Sequence, residues 1–388
     1  MRVLIWTTGN AFTPSMLYKE NYIIKAALEH GDKVMVFASK YSYVDGKEKH
    51  VNDEEIDLPY GLKRFEYKPI INEFVTKKVR YIPGLIKHSI YYRPDLIFVN
   101  CAQVYNVKFI RSIKKALPET KIVLDFSTKY LNSASNWISK NILHRYFYRI
   151  WIQKALPYVD KVFYISAESR EFAHEMYSIP YEIMEHNNLP GETIPWELKQ
   201  QYREEIRDVI GFKGNEIFVL YSGKIYPDKK IADLVRAFSS IRNERLRLLI
   251  IGVFQCDEQY RNEVEQLIKA DSRVIFKGFV SGSELTKFVC ACDLYVQPGS
   301  ISQTCQTAVC CGTPLCFNDI PTHREIYNGN GFFADNEDQL ADVFEKVLSD
   351  DSLLSDMSNL SYEMANTELD YKIIYNKILN AVGLNSHS

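Results

Sequence analysis

Two lysines and a glycine-serine turn are the residues of this sequence best suited to holding an anion. Lys224 and Lys229 bracket the segment Gly223-Lys224-Ile225-Tyr226-Pro227-Asp228-Lys229-Lys230, which follows the apolar run Ile217 to Ser222. The second feature is Gln297-Pro298-Gly299-Ser300-Ile301-Ser302, which follows another apolar run, Leu294 to Val296, and leads through Gln306, Thr307 and Ala308 to Cys311-Gly312-Thr313-Pro314. This pattern predicts a strand, a tight turn and a short helix that stops at Gly312. Gly299 puts no side chain in the way, Ser300 or Ser302 can cap the helix, and the first-turn N–H groups with the positive dipole end favour a phosphate. A capped helix without a ligand, and two solvated lysines, are the plainer readings of the same residues.

The elements that must position these groups are strands ending at one edge of an open sheet, where α/β folds place their ligands. Between the two features lie Leu248 to Gly252 and Val274 to Val280, and a helical segment from Ser283. In order, Gly-Lys with a second Lys, Ile-Ile-Gly, Phe-Lys-Gly-Phe-Val, Asp-Leu-Tyr-Val-Gln-Pro-Gly-Ser, Cys-Gly-Thr-Pro and Glu325-Ile326 with Gly331 cover residues 215–350. This order resembles the C-terminal domain of GT-B glycosyltransferases of the family 4, or group 1, type. The resemblance implies an α/β GT-B fold of two Rossmann-like doubly wound domains facing a cleft: an acceptor-binding domain over 1–192, a nucleotide-sugar-binding domain over 193–368, and a helix over 369–388 that crosses back to the first domain.

It also implies roles. Lys224 and Lys229, with the Gly299–Ser302 turn, would stabilise the departing diphosphate of a nucleotide-sugar donor, and fixed cations can do this without a metal. The family's two Glu positions in this loop fall on Thr307 and Gly299, and Gln306 is the nearest substitute for a ribose contact. Glu325 matches the family's Glu-Ile loop, or caps a short helix after Pro321-Thr322. Gly223 and Gly9 stand where backbone meets the donor, and Gly9 equally suits a tight turn. Asp125, at the end of the predicted strand Ile122–Asp125, is a candidate base, a partner for an acceptor hydroxyl, or the start of a capped turn.

The expected activity is transfer of a hexosyl group to a glycan or polyprenyl-linked acceptor in surface polysaccharide synthesis, with no metal and no cofactor beyond the donor itself. The altered Glu pair keeps a non-catalytic nucleotide-sugar-binding or partner protein as the alternative. A nucleotide-sugar epimerase would need a carboxylate and His cluster that the sequence does not offer. No nucleic-acid motif accompanies the basic residues.

Composition fits a globular chain of two domains: 388 residues, 46% hydrophobic, net charge −2. Residues 1–195 carry 27 basic and 21 acidic residues, and 61–155 alone carry 18 and 5. No signal peptide opens the sequence, and no apolar run approaches the ~18 residues of a membrane span. The expected location is the cytoplasm, with peripheral contact at the inner face of an anionic membrane as a further expectation. That contact would use residues 136–156, whose helical period sets aromatics beside Lys140, Arg145, Arg149 and Lys154; the same pattern also suits a helix packed on the core. The eight cysteines lack zinc spacing and suit core packing. Residues 40–60 read as a polar loop and 384–388 as a disordered tail.

Overall fold

The computed structural model describes residues 1–14, 16–44, 47–51, 57–130, 133–212, 214–300, 302–350 and 352–385. Ile301 of the expected turn, 45–46 and 52–56 of the expected loop, and 386–388 of the expected tail lie outside the described residues. The chain divides into two compact units, one of residues 1–14, 19–188 and 374–388, the other of 189–373 with 15–18. The main breaks fall at 188/189 and 373/374.

Unit 1 is built on strands β1 (Arg2–Thr7), β2 (Lys33–Ser39), β5 (Gly61–Phe65), β6 (Leu96–Asn100), β7 (Lys121–Phe126), β8 (Lys161–Tyr164) and β9 (Met184–His186), after a hairpin of β3 (Tyr41–Val44) and β4 (Lys47–His50). The sheet is parallel, in the order β5-β2-β1-β6-β7-β8-β9. Its central strands are apolar runs because helices cover both faces of such sheets. Leu4, Trp6, Ile97, Val99, Leu124 and Tyr177 lie in one core.

Unit 2 carries β10 (Ile217–Ile225), β11 (Leu246–Phe254), β12 (Val274–Lys277), β13 (Leu294–Gln297), β14 (Leu315–Phe317) and β15 (Gly331–Phe333). These pair in parallel in the order β12-β11-β10-β13-β14-β15. Cys290, Cys292, Cys305, Cys310, Cys311 and Cys316 are buried free thiols. Burial in apolar surroundings pushes the Cys316 thiol up to about 12.

Two local expectations are corrected. The stretch read as a loop contains the antiparallel hairpin of β3 and β4. Its β4 strand, Lys-Glu-Lys-His, is exposed throughout, so it shows no apolar alternation; Tyr41 anchors the hairpin by accepting from Phe12 N–H at 2.9 Å and stacking on Tyr67. The second correction concerns the basic, aromatic helix. Ser139–Tyr148 is π-helical and continues as the α-helix Arg149–Ala155. The wider π-turn breaks the 3.6-residue stripe, so the apolar residues split between two faces. Tyr148, Trp151, Ile152 and Ala155 are buried, whereas Trp137, Ile138, Ile142, Tyr146, Phe147 and Ile150 are exposed.

Candidate functional site

In unit 2 the strand order reverses between β10 and β13, since β10 pairs with β11 on one side and β13 on the other. Such a switch point is where an open parallel sheet leaves a crevice beyond its strand ends. Both sequence features emerge there. Gly223, with φ +148°, lies near the end of β10, and the Gly299 turn follows β13 directly.

The turn is held from below. A Cβ on Gly299 would lie 2.0 Å from the Asp228 carbonyl oxygen and 2.7 Å from Lys229 Cα, so only glycine lets these segments meet. Lys229 Nζ donates to the Ser300 carbonyl at 2.6 Å, and Gln297 Nε2 donates to the same oxygen at 2.8 Å. Gln297 Oε1 accepts from Ser302 Oγ at 3.0 Å, and the Tyr295 hydroxyl lies 3.0 Å from the Ser222 carbonyl and 3.2 Å from Gln297 Oε1. Ser222 Oγ in turn donates to Thr304 Oγ1 at 3.1 Å. A fully buried Gln at a strand end has to find such partners, and that is the signal that could have marked Gln297 and Tyr295 in the sequence.

The expected serine cap is not formed. Ser302 occupies the N-cap position of the Gln303–Cys310 helix in extended backbone, but its side chain accepts from no first-turn N–H; its hydroxyl donates to Gln297 Oε1 and lies 3.8 Å from Cys305 Sγ. The Cys305 N–H donates to the Ser302 carbonyl at 3.1 Å, and the N-cap side chain takes up none of the first-turn N–H groups.

The two lysines differ. Lys224 is exposed, whereas Lys229 is 5% exposed. Burial, which disfavours the charged form, is the main cause that lowers Lys229 to about 8, and the charge of Lys224 adds to it. At neutral pH Lys229 remains mostly protonated and close to losing its proton.

The other expected contacts are placed differently. Gln306 and Thr307 are buried, with their side chains turned to the helix's own backbone. The Gln306 amide nitrogen faces the Ser302 and Gln303 carbonyls, and Thr307 Oγ1 lies 3.5 Å from the Gln303 carbonyl. Glu325 stands at the C-terminal end of the short Pro321–Arg324 helix that follows β14, so it does not cap that helix's start.

Asp125 and Gly9 belong to unit 1. Asp125, at the end of β7, is fully buried and bonded to Lys19 Nζ at 2.5 Å, while its second oxygen has no hydrogen-bond partner. Its carboxyl is pushed up by burial and pulled back by Lys19. Enclosure, rather than a strand-end position open to an acceptor, defines Asp125 here. Nearby Glu20 is raised to about 6, again by burial, and accepts from Asn100 Nδ2 at 3.3 Å. A Cβ on Gly9 would lie 2.7 Å from the Cys101 carbonyl oxygen, so packing against Cys101 accounts for this glycine. Among the described residues no group of three or more His, Cys, Asp or Glu side chains is arranged to hold a metal ion.

Residues 202–364 match the family model described as Glycosyl transferases group 1. The match covers less than half of the chain. Its boundaries fall inside unit 2 and enclose both lysines, the glycine turn and Glu325. Over 167 residues the chain is 28% identical to an uncharacterized glycosyltransferase, MJ1607, of Methanocaldococcus jannaschii, a match spanning 40% of this chain and 43% of that relative. Among solved structures, Anabaena HepE in complex with UDP superposes with a TM-score of 0.69 at 16% identity, covering 99% of this chain and 100% of the other. Sucrose-phosphate synthase from Thermosynechococcus elongatus gives 0.71 at 14% identity over 98% of both chains. WaaG, a glycosyltransferase involved in lipopolysaccharide biosynthesis, gives 0.64 at 14% identity over 99% and 100%. These likenesses establish the GT-B fold with its two Rossmann-like domains.

Proposed function

We propose that the protein is a glycosyltransferase that takes a sugar from a nucleoside diphosphate donor, with the diphosphate held at the unit 2 switch point. The observation that carries this is the union of Lys229, locked onto the Ser300 carbonyl, with a helix start whose N–H groups no side chain caps. Lys229 and Lys224 supply positive charge where the leaving diphosphate gains negative charge, and the first-turn N–H groups supply directed donors. The pinned turn keeps these groups in place before the donor arrives. The UDP bound to HepE supports a uridine nucleotide as the first donor to try. No step in this reading requires a metal.

The acceptor is assigned to unit 1 and taken to be a glycan on a polyprenyl carrier. Supporting this, Trp137, Ile138, Ile142, Tyr146 and Phe147 are exposed on the segment that also carries Lys140, Arg145 and Arg149. Exposed aromatics interleaved with cations suit the interface of an anionic membrane, where each basic residue contributes ~1 kcal/mol. Among the described residues no helix is long and apolar enough to cross a membrane.

The test is a thermal-shift panel of UDP, GDP, CDP and ADP and their sugars on the wild type and on Lys224→Ala with Lys229→Ala. One nucleotide raising Tm in the wild type alone is the expected result. Absence of any shift favours the non-catalytic reading, which the Thr307 and Gly299 replacements of the family's Glu pair would then explain.

A further inference from the structure

Unit 1 has its own switch point, between β1 and β6, because β1 pairs with β2 on one side and β6 on the other. A pocket of about 350 Å³ lies there. Asn10 beyond β1, Cys101 and Gln103 beyond β6, and Ser127 and Thr128 beyond β7 line it from the sheet, and Lys78, Arg80, His144 and Tyr148 enclose it.

The charges of this pocket are unbalanced. Among the described residues its lining includes Lys78 and Arg80 and no carboxylate. Neighbouring Lys77 is paired with Glu48 at 3.2 Å and Glu73 at 3.1 Å. Arg80 instead donates Nε to the Lys77 carbonyl at 2.9 Å and sets Nη1 4.0 Å from Cys101 Sγ, and no acidic side chain among the described residues lies within ion-pair distance of it. A guanidinium turned into a cavity without a counter-charge is a site for an oxyanion.

The neutral groups are arranged as donors too. Gln103 Nε2 lies 2.7 Å from Thr128 Oγ1 and 3.2 Å from the Tyr177 hydroxyl, and that hydroxyl lies 2.7 Å from His144 Nδ1. The Tyr177 hydroxyl can donate to Nδ1, and in that tautomer the imidazole carries its proton on Nε2 as a further donor. The backbone is strained at the same place. Arg80 (φ 52°), Cys101 (φ 61°) and Ala134 (φ 58°) are left-handed non-glycine residues, and all three line the pocket. Such strain persists where surrounding structure over-determines it, often at ligand sites. Ser139, Leu143, His144 and Tyr148 of the π-helical segment form one wall, and Phe147 of the same segment, with Trp137 just before it, is exposed.

We infer that this pocket is a second anion site, which takes the phosphate of a phosphorylated acceptor through Lys78, Arg80 and the His144 ring. The inference rests on the transferase reading for the word acceptor, and on unit 1 alone for the site. The shared chemistry is a phosphate or diphosphate monoester. Its carrier is a lipid or a soluble sugar.

Calorimetric titration of the full chain, saturated with UDP to fill unit 2, tests it with inorganic pyrophosphate as the probe. Pyrophosphate is expected to bind the UDP-loaded protein, and Lys78→Met and Arg80→Gln are each expected to weaken it at least tenfold while the UDP-induced rise in Tm persists. That rise reports a folded variant, and Lys78→Met stands in if Arg80→Gln does not fold. No pyrophosphate binding, or binding unchanged in both variants, overturns the site. Failure of UDP itself to bind strikes the transferase reading instead, and pyrophosphate can then be titrated without it. Geranyl diphosphate binding more tightly than pyrophosphate supports a lipid carrier, and glucose 6-phosphate matching it supports a soluble one; both outcomes sustain the anion site.

Discussion

The two switch points solve the same problem in opposite ways. In unit 2 the cation is tied to the protein: Lys229 is buried and bonded to the Ser300 carbonyl, and a turn with no room for a Cβ holds both. In unit 1 the cations line an open pocket of about 350 Å³, on a left-handed residue and beside a π-helical wall. The first arrangement is rigid and suits one invariant group, the proposed diphosphate. The second leaves room for a partner whose anionic group is fixed but whose remainder varies.

The largest expected effect is on the buried ion pair of unit 1. Asp125 and Lys19 are buried together, so Lys19→Met should destabilise the protein by about 3–5 kcal/mol by leaving a buried carboxylate uncompensated. Denaturant unfolding that shows a loss below about 1 kcal/mol would mean that Asp125 does not stay ionised without Lys19. Next, Lys229→Met should cut kcat/KM for the donor about 100-fold, equivalent to ~2.7 kcal/mol, and leave folding stability unchanged or improved. Equal losses of stability and turnover would instead make Lys229 a packing residue.

Gly299→Ala should cost about 1–3 kcal/mol, because a Cβ would overlap the Asp228 carbonyl. It should also abolish the nucleotide-induced rise in Tm; retention of that rise would separate the turn from the donor.

The pH dependence has a definite sign. With the diphosphate held by protonated Lys229 as proposed, donor affinity should be flat below about 8 and fall at most tenfold per pH unit above it. Folding runs the other way. The folded state holds this proton less tightly than the unfolded chain, so stability rises as pH passes from about 8 towards the usual 10.5. A donor affinity flat to pH 9.5 would break the assignment. The smallest effect on the fold is expected from Trp137→Ser with Phe147→Ser, which should change stability by less than about 0.5 kcal/mol. Co-sedimentation with anionic vesicles should nonetheless fall, and unchanged sedimentation would discard the membrane contact.

The central strands and the positions of Lys224, Lys229 and Gly299 were legible because buried parallel strands are continuous apolar runs and turns need glycine. The β3 and β4 hairpin was not, since the exposed Lys47–His50 strand is stabilised by its partner and not by burial. Nor did the sequence reveal that Ser302 serves Gln297 instead of the helix, or that Asp125 is closed in by Lys19, a residue 106 positions earlier. Both depend on neighbours brought in by the fold. The unit 1 pocket was hidden for the same reason, since Lys78 and Arg80 sit in a basic stretch whose other members are solvated or paired.

The π-helical segment also makes the chain's geometry sensitive to insertion and deletion there. A π-turn carries about one residue more than an α-turn, and each α-helical residue advances the chain by ~100°. Removing a single residue within Ser139–Tyr148 could restore α-helical spacing while Trp151 and Ile152 stay anchored in the core, and everything upstream would rotate by roughly that angle. Trp137 and Ile138 would swing away from their exposed bearing as the wall residue Ser139 turned with them. One codon in this segment therefore sets both the outward apolar surface and the shape of the pocket behind it.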